Sequence, residues 1–203
     1  TQPCSSAASD VYKRQTVEIA RDQRLFSQQF KQGTACSGLI DEGPVRNRRG
    51  TKICFHPDPE IFGKNLKFKP STLYQMAKSK AYLFRGVEIR WSCDTELTAS
   101  DPKTPDAEII HYPNGLTDYL KSELQDRKIF GNAVFSNEKD TETNERIEWA
   151  IAWPEDNDDG FLNSYCNTIP TPQGGTHEAG LKAALLKGIR TYSGLSGMTK
   201  RVS

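Results

Sequence analysis

One short segment, with the sequence Gly-Gly-Thr-His, has residue types and spacing that suggest chemistry. The segment PTPQGGTH spans residues 170–177 and precedes a predicted helix. Glycine permits unusual backbone angles and close approach by other groups, and a helix N-terminus presents free N–H groups that attract anions. An anion site at Gly174 and Gly175 is therefore one interpretation. A tight turn without a ligand is the other, since glycine pairs mark turns by default.

The other residues capable of chemistry form no recognised site. His56, His111 and His177 are far apart and lack the spacing of metal ligands. Motifs of serine hydrolases, P-loop NTPases, zinc metalloproteases and dinucleotide-binding proteins are absent. Acidic residues cluster at 138–148 and 155–159, but the spacing of a calcium loop is missing, so we expect solvated loops there. We predict no metal site and no catalytic residue in this chain.

Composition excludes several functional classes. The chain has 203 residues, a net charge of +1 and a mean hydropathy of −0.67. The chain lacks the overall basic excess that would indicate nucleic-acid binding. No stretch approaches the roughly 20 apolar residues of a membrane span. The basic run 46–49 is predicted to be a solvated loop. The five cysteines include no CxxC pair, which argues against a zinc site and against a disulfide framework. The expected lack of disulfides favours a cytoplasmic location.

Hydrophobic periodicity predicts strands and helices in alternation, and therefore an α+β fold. Strands are predicted as a pair within 16–30 and at 50–58, 87–91, 129–137, 147–155 and 161–169. Helices are predicted at 72–84, 115–126 and 178–192. The polar, proline-bearing segment 92–113 is predicted to hold a domain boundary.

Four segments resemble, in order and spacing, the B subunits of bacterial type IIA DNA topoisomerases. They are GTKICFHPDPEIF (50–62), LYQMAKSKAYLFRGVEIRW (73–91), NGLTDYL (114–120) and SYCNTIPTPQGGTHEAGLKAALLKGI (164–189). The resemblance extends from about Val17 to Tyr192. Within the family, AKSKA and IPTPQGGTH are more similar to topoisomerase IV than to gyrase.

The resemblance implies two domains after a short leader. Residues 1–15 are expected to be an unrelated leader or a sequencing artefact. Residues 16–108 would be the C-terminal part of a GHKL-type ATPase α/β sandwich. Residues 109–203 would be a transducer domain, a ribosomal-protein-like βαβ sheet backed by helices, cut off at its C-terminal end.

The resemblance also implies site residues and cofactors. Gly50 and Thr51 match the ATP-binding positions of the family. The transducer turn that shapes the clamp wall is matched by Gln173, Gly174, Gly175, Thr176 and His177. ATP and Mg²⁺ would be cofactors of the intact protein, with neither bound tightly by this chain. The family's general-base glutamate, magnesium-binding asparagine and glycine-rich lid are expected upstream, and its transducer lysine downstream.

The partners implied for the intact protein are DNA, the topoisomerase A subunit and a second copy of the B subunit, paired through the ATPase arm. The implied activity is DNA relaxation or decatenation by ATP-driven clamp closure and strand passage. Three alternatives remain open: a fragment of the gyrase B subunit, a mismatch-repair ATPase with a similar transducer fold, and a non-enzymatic α+β interaction module. No membrane association is expected.

Overall fold

The computed structural model describes residues 11–142, 145–156 and 160–197, and it contains two compact units that divide between Phe68 and Lys69. Both units combine strands with helices, so the predicted α+β class is confirmed. None of the helices in these described ranges is both long enough and apolar enough to cross a membrane.

The first unit is an antiparallel sheet with one short helix. Its strands are β1 (Tyr12–Arg21), β2 (Arg24–Lys31), β3 (Thr34–Ala35), β4 (Ile40–Pro44) and β5 (Gly50–Pro57), followed by helix α1 (Pro59–Phe62). β1 lies between β2 and β5, while β3 and β4 both pair with the outer edge of β2. The predicted strand pair in 16–30 and the predicted strand 50–58 are confirmed.

The β1–β2 hairpin sets the register of this sheet. Asp22 and Gln23 form its two-residue turn, with φ of 53° and 60°. Positive φ at both positions is what the favoured hairpin turns require, and aspartate tolerates it well. The strand begins at Tyr12, so residues 12–15 of the predicted leader pair within the sheet. The assignment of residues 1–15 to an unrelated leader or a sequencing artefact stays a prediction. Residues 1–10 of the predicted leader lie outside the described residues.

The second unit contains three antiparallel hairpins and the longer helices. Its elements are α2 (Pro70–Leu83), β6 (Glu88–Ser92), α3 (Thr95–Thr98), β7 (Ala107–His111), α4 (Leu116–Leu124), β8 (Phe135–Asp140), β9 (Arg146–Ile151), β10 (Tyr165–Cys166), β11 (Ile169–Pro170) and α5 (Thr176–Leu195). β6 pairs with β7, β8 with β9 and β10 with β11. The three predicted helices and the strand predicted at 87–91 are confirmed. The strand predicted at 147–155 is confirmed in its first part, as β9.

The core of the second unit lies between helix α2 and the β6–β7 hairpin. Tyr74, Ala81 and Ile110 are buried there, and Ile89 and Trp91 pack against them. Pro70 occupies the first turn of α2, where its missing N–H costs nothing. The core therefore joins residues on both sides of the predicted 108/109 boundary, which falls inside β7. As a division between family domains, that boundary stays a prediction.

Two predicted strands differ from the structure because of local backbone conformation. Gly131 and Asn132 have φ of 71° and 51°, which interrupts the strand predicted at 129–137, so that β8 begins only at Phe135. Asn167 and Thr168 have φ of 48° and 67°. They turn the strand predicted at 161–169 into the short β10–β11 hairpin.

Candidate functional site

Thr51 lies on an open apolar face of the first unit's sheet. It is paired directly with Ile19 of β1, and Ile53 is paired with Val17. Directly paired residues project to the same face, and so do residues two apart on one strand. Ile19 is 40% exposed and Ile53 56%, so the two apolar side chains beside the threonine are only partly covered by the described residues. Phe55, further along the same face, is 43% exposed and packs against Tyr12 and Phe68.

Gly50 positions the threonine through its backbone. Its φ is 124°, a conformation that L side chains rarely adopt, although the space beside it is empty. The residue lies opposite Ala20, on the other face of the sheet from Thr51. Glycine thus allows the chain to enter β5 sharply from the preceding loop, and Thr51 is the first side chain of the strand on the apolar face.

An ion-pair network on the opposite face holds the start of β5. Arg48 Nη2 donates to Glu18 Oε2 at 2.6 Å, and Lys52 Nζ lies 3.4 Å from Glu18 Oε1. The hydrogen bond from Arg48 lowers the pKa of the Glu18 carboxyl below its usual value. The basic run 46–49 is therefore attached to the sheet through Arg48 rather than being wholly solvated. This attachment fixes the loop that leads to Gly50.

The glycine turn in the second unit is shaped by close contacts. Gly174 has φ of 73°, and its N–H donates to the carbonyl oxygen of Thr171 at 2.8 Å. A Cβ on Gly174 would lie 2.9 Å from Glu178 Oε2. Gly175 is extended, but a Cβ there would lie 2.7 Å from His177 Cε1. The position of Gly174 therefore favours glycine through its backbone conformation, whereas a side chain at Gly175 would require only that the exposed His177 ring move aside.

Hydroxyl groups connect this turn to the preceding hairpin. The hydroxyls of Ser164 and Thr171 are 2.7 Å apart, and Thr171 Oγ1 lies 3.3 Å from His177 Nε2. Thr176 begins helix α5, whose N-terminus has no side-chain cap. Gln173 is exposed and lines a cavity of about 470 Å³ beside the turn, together with Glu178 and Lys182.

The carboxylate of Glu178 occupies the electrostatic position that an anion would take. It lies in the first turn of α5, where negative charge is favourable. Lys182 Nζ donates to it at 2.6 Å. The geometry therefore favours the tight turn over the anion site as the interpretation of Gly174 and Gly175.

A tyrosine cluster docks this segment onto helices α2 and α4. Tyr82 stacks on Tyr119 with ring centroids 3.9 Å apart, and its hydroxyl is hydrogen-bonded to that of Tyr165. Asn163 Nδ2 donates to the Tyr119 hydroxyl at 3.0 Å. Burial raises the pKa of Tyr82, and it raises the pKa of Tyr119 to about 12. The sequence analysis missed this cluster because its members are far apart in the chain and share no spacing signal.

The predicted candidate residues belong to different units. Gly50 and Thr51 lie in the first unit, and residues 173–177 lie in the second. Within the described ranges, no group of three or more histidine, cysteine, aspartate or glutamate side chains could hold a metal ion. Residues 143–144 and 157–159, in the two predicted acidic loops, lie outside those ranges. The described cysteines, Cys36, Cys54, Cys93 and Cys166, are free thiols.

Comparison with known sequences decides the family. A family model described as DNA gyrase B matches residues 115–203. The B subunit of DNA topoisomerase 4 from Bartonella bacilliformis is 46% identical over 188 residues, which is 92% of this chain and 27% of that protein. Its counterpart from Rickettsia felis is 41% identical over 196 residues, covering 96% of this chain and 29% of the relative. The chain belongs to the B subunits of type IIA DNA topoisomerases. The names of these relatives favour topoisomerase IV over gyrase, as the sequence predicted.

Solved structures of such B subunits share the fold. The one from Myxococcus xanthus gyrase has a TM-score of 0.76 at 23% identity, covering 91% of this chain and 51% of that one. The 43K ATPase domain of Thermus thermophilus gyrase B, in complex with an aminocoumarin, has a TM-score of 0.75 at 24% identity, covering 94% and 49%. The topoisomerase IV ATP-binding domain of Francisella tularensis, in complex with a small-molecule inhibitor, has a TM-score of 0.66 at 26% identity, covering 92% and 47%. The chain itself spans 27% to 29% of the length of the B subunits it resembles in sequence.

Proposed function

We propose that this chain is part of an ATP-dependent topoisomerase IV B subunit that relaxes or decatenates DNA by clamp closure and strand passage. The first unit contributes one wall of an ATP site. The second unit belongs to the relay that carries the nucleotide state to the DNA gate. Such a relay is a mechanical coupling between two separate sites, each of which biases the same conformational change.

The observation that carries the proposal is the position of Thr51 on the open apolar face. Its hydroxyl can both donate and accept a hydrogen bond, and Ile19 and Ile53 offer a flat apolar surface on either side. An adenine base has an apolar ring face and a polar edge. The combination of one hydroxyl and an aliphatic floor suits that ligand better than it suits a charged one.

The proposal leaves magnesium and water activation to other residues. Activation of the attacking water needs a carboxylate within hydrogen-bond reach of it. The resemblance places the general-base glutamate of the family upstream of this chain, and no group of three or more possible metal ligands lies among the described residues. The proposal therefore assigns Mg²⁺ coordination and general-base catalysis to sequence outside the described ranges, and it expects no tight ATP binding by the 203-residue chain alone.

The partners follow from the same mechanism. ATP bound to two B subunits would pair their ATPase arms and capture a DNA segment, and the A subunit would supply the DNA gate. The second unit supports this role through its docked hairpin and glycine turn, which connect the tyrosine cluster to helix α5.

The first test is to sequence genomic DNA through both ends of the reading frame and express the complete protein. ATP hydrolysis, relaxation and decatenation would then be measured with the A subunit and DNA. We expect DNA-stimulated ATP hydrolysis and decatenation. A complete protein that neither binds nor hydrolyses ATP would overturn the proposal in favour of the interaction module. ATP-driven negative supercoiling would instead identify the gyrase branch.

The second test addresses Thr51 in that complete protein. Thr51→Ala should weaken nucleotide binding about tenfold, which corresponds to roughly 1.4 kcal/mol for one lost hydrogen bond. Thr51→Ser should retain most of the affinity because the hydroxyl remains. Thr34→Ala, at an exposed strand threonine of the same unit, is the matched control. Equal affinities for Thr51→Ala and Thr34→Ala would remove Thr51 from the site.

A further inference from the structure

The turn of the β10–β11 hairpin has an unusual residue at its tip. Asn167 and Thr168 both have positive φ, at 48° and 67°. Two-residue hairpin turns of this kind prefer Asn-Gly, and a β-branched residue at positive φ is a true outlier. The threonine therefore holds a conformation that glycine would adopt more easily, and something outside the hairpin must compensate.

Lys80 of helix α2 supplies that compensation. Its Nζ donates to the carbonyl oxygen of Thr168 at 3.1 Å and to the hydroxyl oxygen of the same residue at 2.6 Å. Hydrogen bonds from a charged donor are stronger than neutral ones. A glycine at position 168 would relax the backbone but remove one of the two acceptors. Both side chains are half-buried, which limits competition from water.

The hairpin precedes the glycine turn and helix α5, and it is docked against helix α2. Tyr165 is hydrogen-bonded to Tyr82, which lies two residues beyond Lys80 on the same helix. The chain then runs through the glycine turn into helix α5, which buries only Ser193 among its 20 residues. Leu186 is 47% exposed and Leu195 84%. Because α5 buries so little among the described residues, the docked hairpin is one determinant of its direction.

We propose that Lys80 is a positioning residue that fastens the Asn167–Thr168 turn to helix α2 and so sets the direction of the glycine turn and α5. The inference rests on the proposed function for its meaning, because it identifies the contact through which movement of α2 would reach α5. The contact lies wholly within the second unit, between Lys80 and Thr168. It can therefore be tested separately from ATP binding.

The test measures the distance between α2 and α5 by pulsed electron spin resonance in the 203-residue chain. Spin labels are attached at Gln75→Cys and Arg190→Cys, two exposed positions, after the five native cysteines are replaced by serine. The parent should give a single narrow distance peak. Lys80→Met should abolish that peak in favour of a broad distribution, whereas Lys80→Arg should retain it.

Thr168→Val is the second variant, because it keeps the β-branched shape and removes only the hydroxyl. It should broaden the distribution less than Lys80→Met, since the carbonyl acceptor remains. Hydrogen exchange of the β6 and β7 amides should be unchanged in both variants. A peak as narrow in Lys80→Met as in the parent would overturn the proposal. So would faster exchange throughout β6 and β7, because Lys80 would then act on the whole fold. ATP hydrolysis by the complete protein reports on the proposed function independently.

Discussion

A Cβ on Gly115 would lie 3.2 Å from the carbonyl oxygen of Tyr82. Gly115 precedes helix α4, has φ of 58° and is itself buried. The residue thus lets the start of α4 approach the end of α2 closely enough for Tyr82 to stack on Tyr119. The same approach brings Arg85 Nη2 to within 2.9 Å of Glu148 Oε1 on β9.

Gly115→Ala should therefore destabilise the protein more than backbone strain alone would. The φ of 58° and ψ of −125° at Gly115 lie outside the left-handed helical region, in backbone that costs an L residue roughly 1–3 kcal/mol, and contact with the carbonyl oxygen should add about 1–3 kcal/mol. The measurement is urea unfolding. Gly63→Ala is the matched control, because Gly63 has φ of 86° and ψ of 153°, another conformation that suits glycine alone, and empty space around the added methyl group. Equal losses for the two variants would show that the contact with Tyr82 is unimportant.

The tyrosine cluster should make the second unit sensitive to alkali. Burial raises the pKa of Tyr119 to about 12, while the pKa of a tyrosine in the unfolded chain is about 10. The unfolded state therefore loses its proton first, and the free energy of unfolding should fall as pH rises from about 10 to about 12. Urea unfolding at several pH values and phenolate absorbance of the folded protein test this. Tyr119→Phe should reduce the slope, and a Tyr119 phenolate that forms near pH 10 in the folded protein would contradict it.

Asp58 should make the first unit sensitive to acid. Gln32 Nε2 donates to its carboxylate at 2.8 Å and the Glu60 N–H at 3.0 Å, which together lower the pKa of this buried group. Its stabilising contribution is present above the ordinary aspartate pKa of about 3.9 and should be lost as pH falls through the lower folded value. Asp58→Asn should flatten that part of the acid unfolding curve. Asp22→Asn, at an exposed aspartate of the same unit, should leave it unchanged. Parallel curves for both variants would refute the assignment.

Periodic patterns predicted the regular elements well. The alternation of Val17 and Ile19 indicated β1, because one face of that strand is apolar. The spacing of Ala77 and Ala81 indicated α2, because that face of the helix packs on the core. The family signature predicted the glycine turn at 173–177. The clamp-wall role of that turn and the ATP-binding role of Gly50 and Thr51 remain predictions. The sequence thus located the elements and the two candidate segments.

The remaining features depend on contacts that no local pattern encodes. The turn at Thr168 could not be predicted, since threonine is a strand former and its conformation depends on Lys80, 88 residues away. Strand β7 was missed because Ile109 and Ile110 are adjacent and do not alternate with polar residues. Gly131 was included in a strand because an isolated glycine does not reveal its φ. In each case tertiary context overrode local preference.

The length of helix α5 has a mechanical consequence. Twenty residues at about 1.5 Å each make a rod of roughly 30 Å. Its first turn is joined to the docked hairpin, and Ser193, its one buried residue among the described residues, lies near its other end. A rod of this length would carry a displacement at the hairpin to a point about 25 Å away, near Ser193.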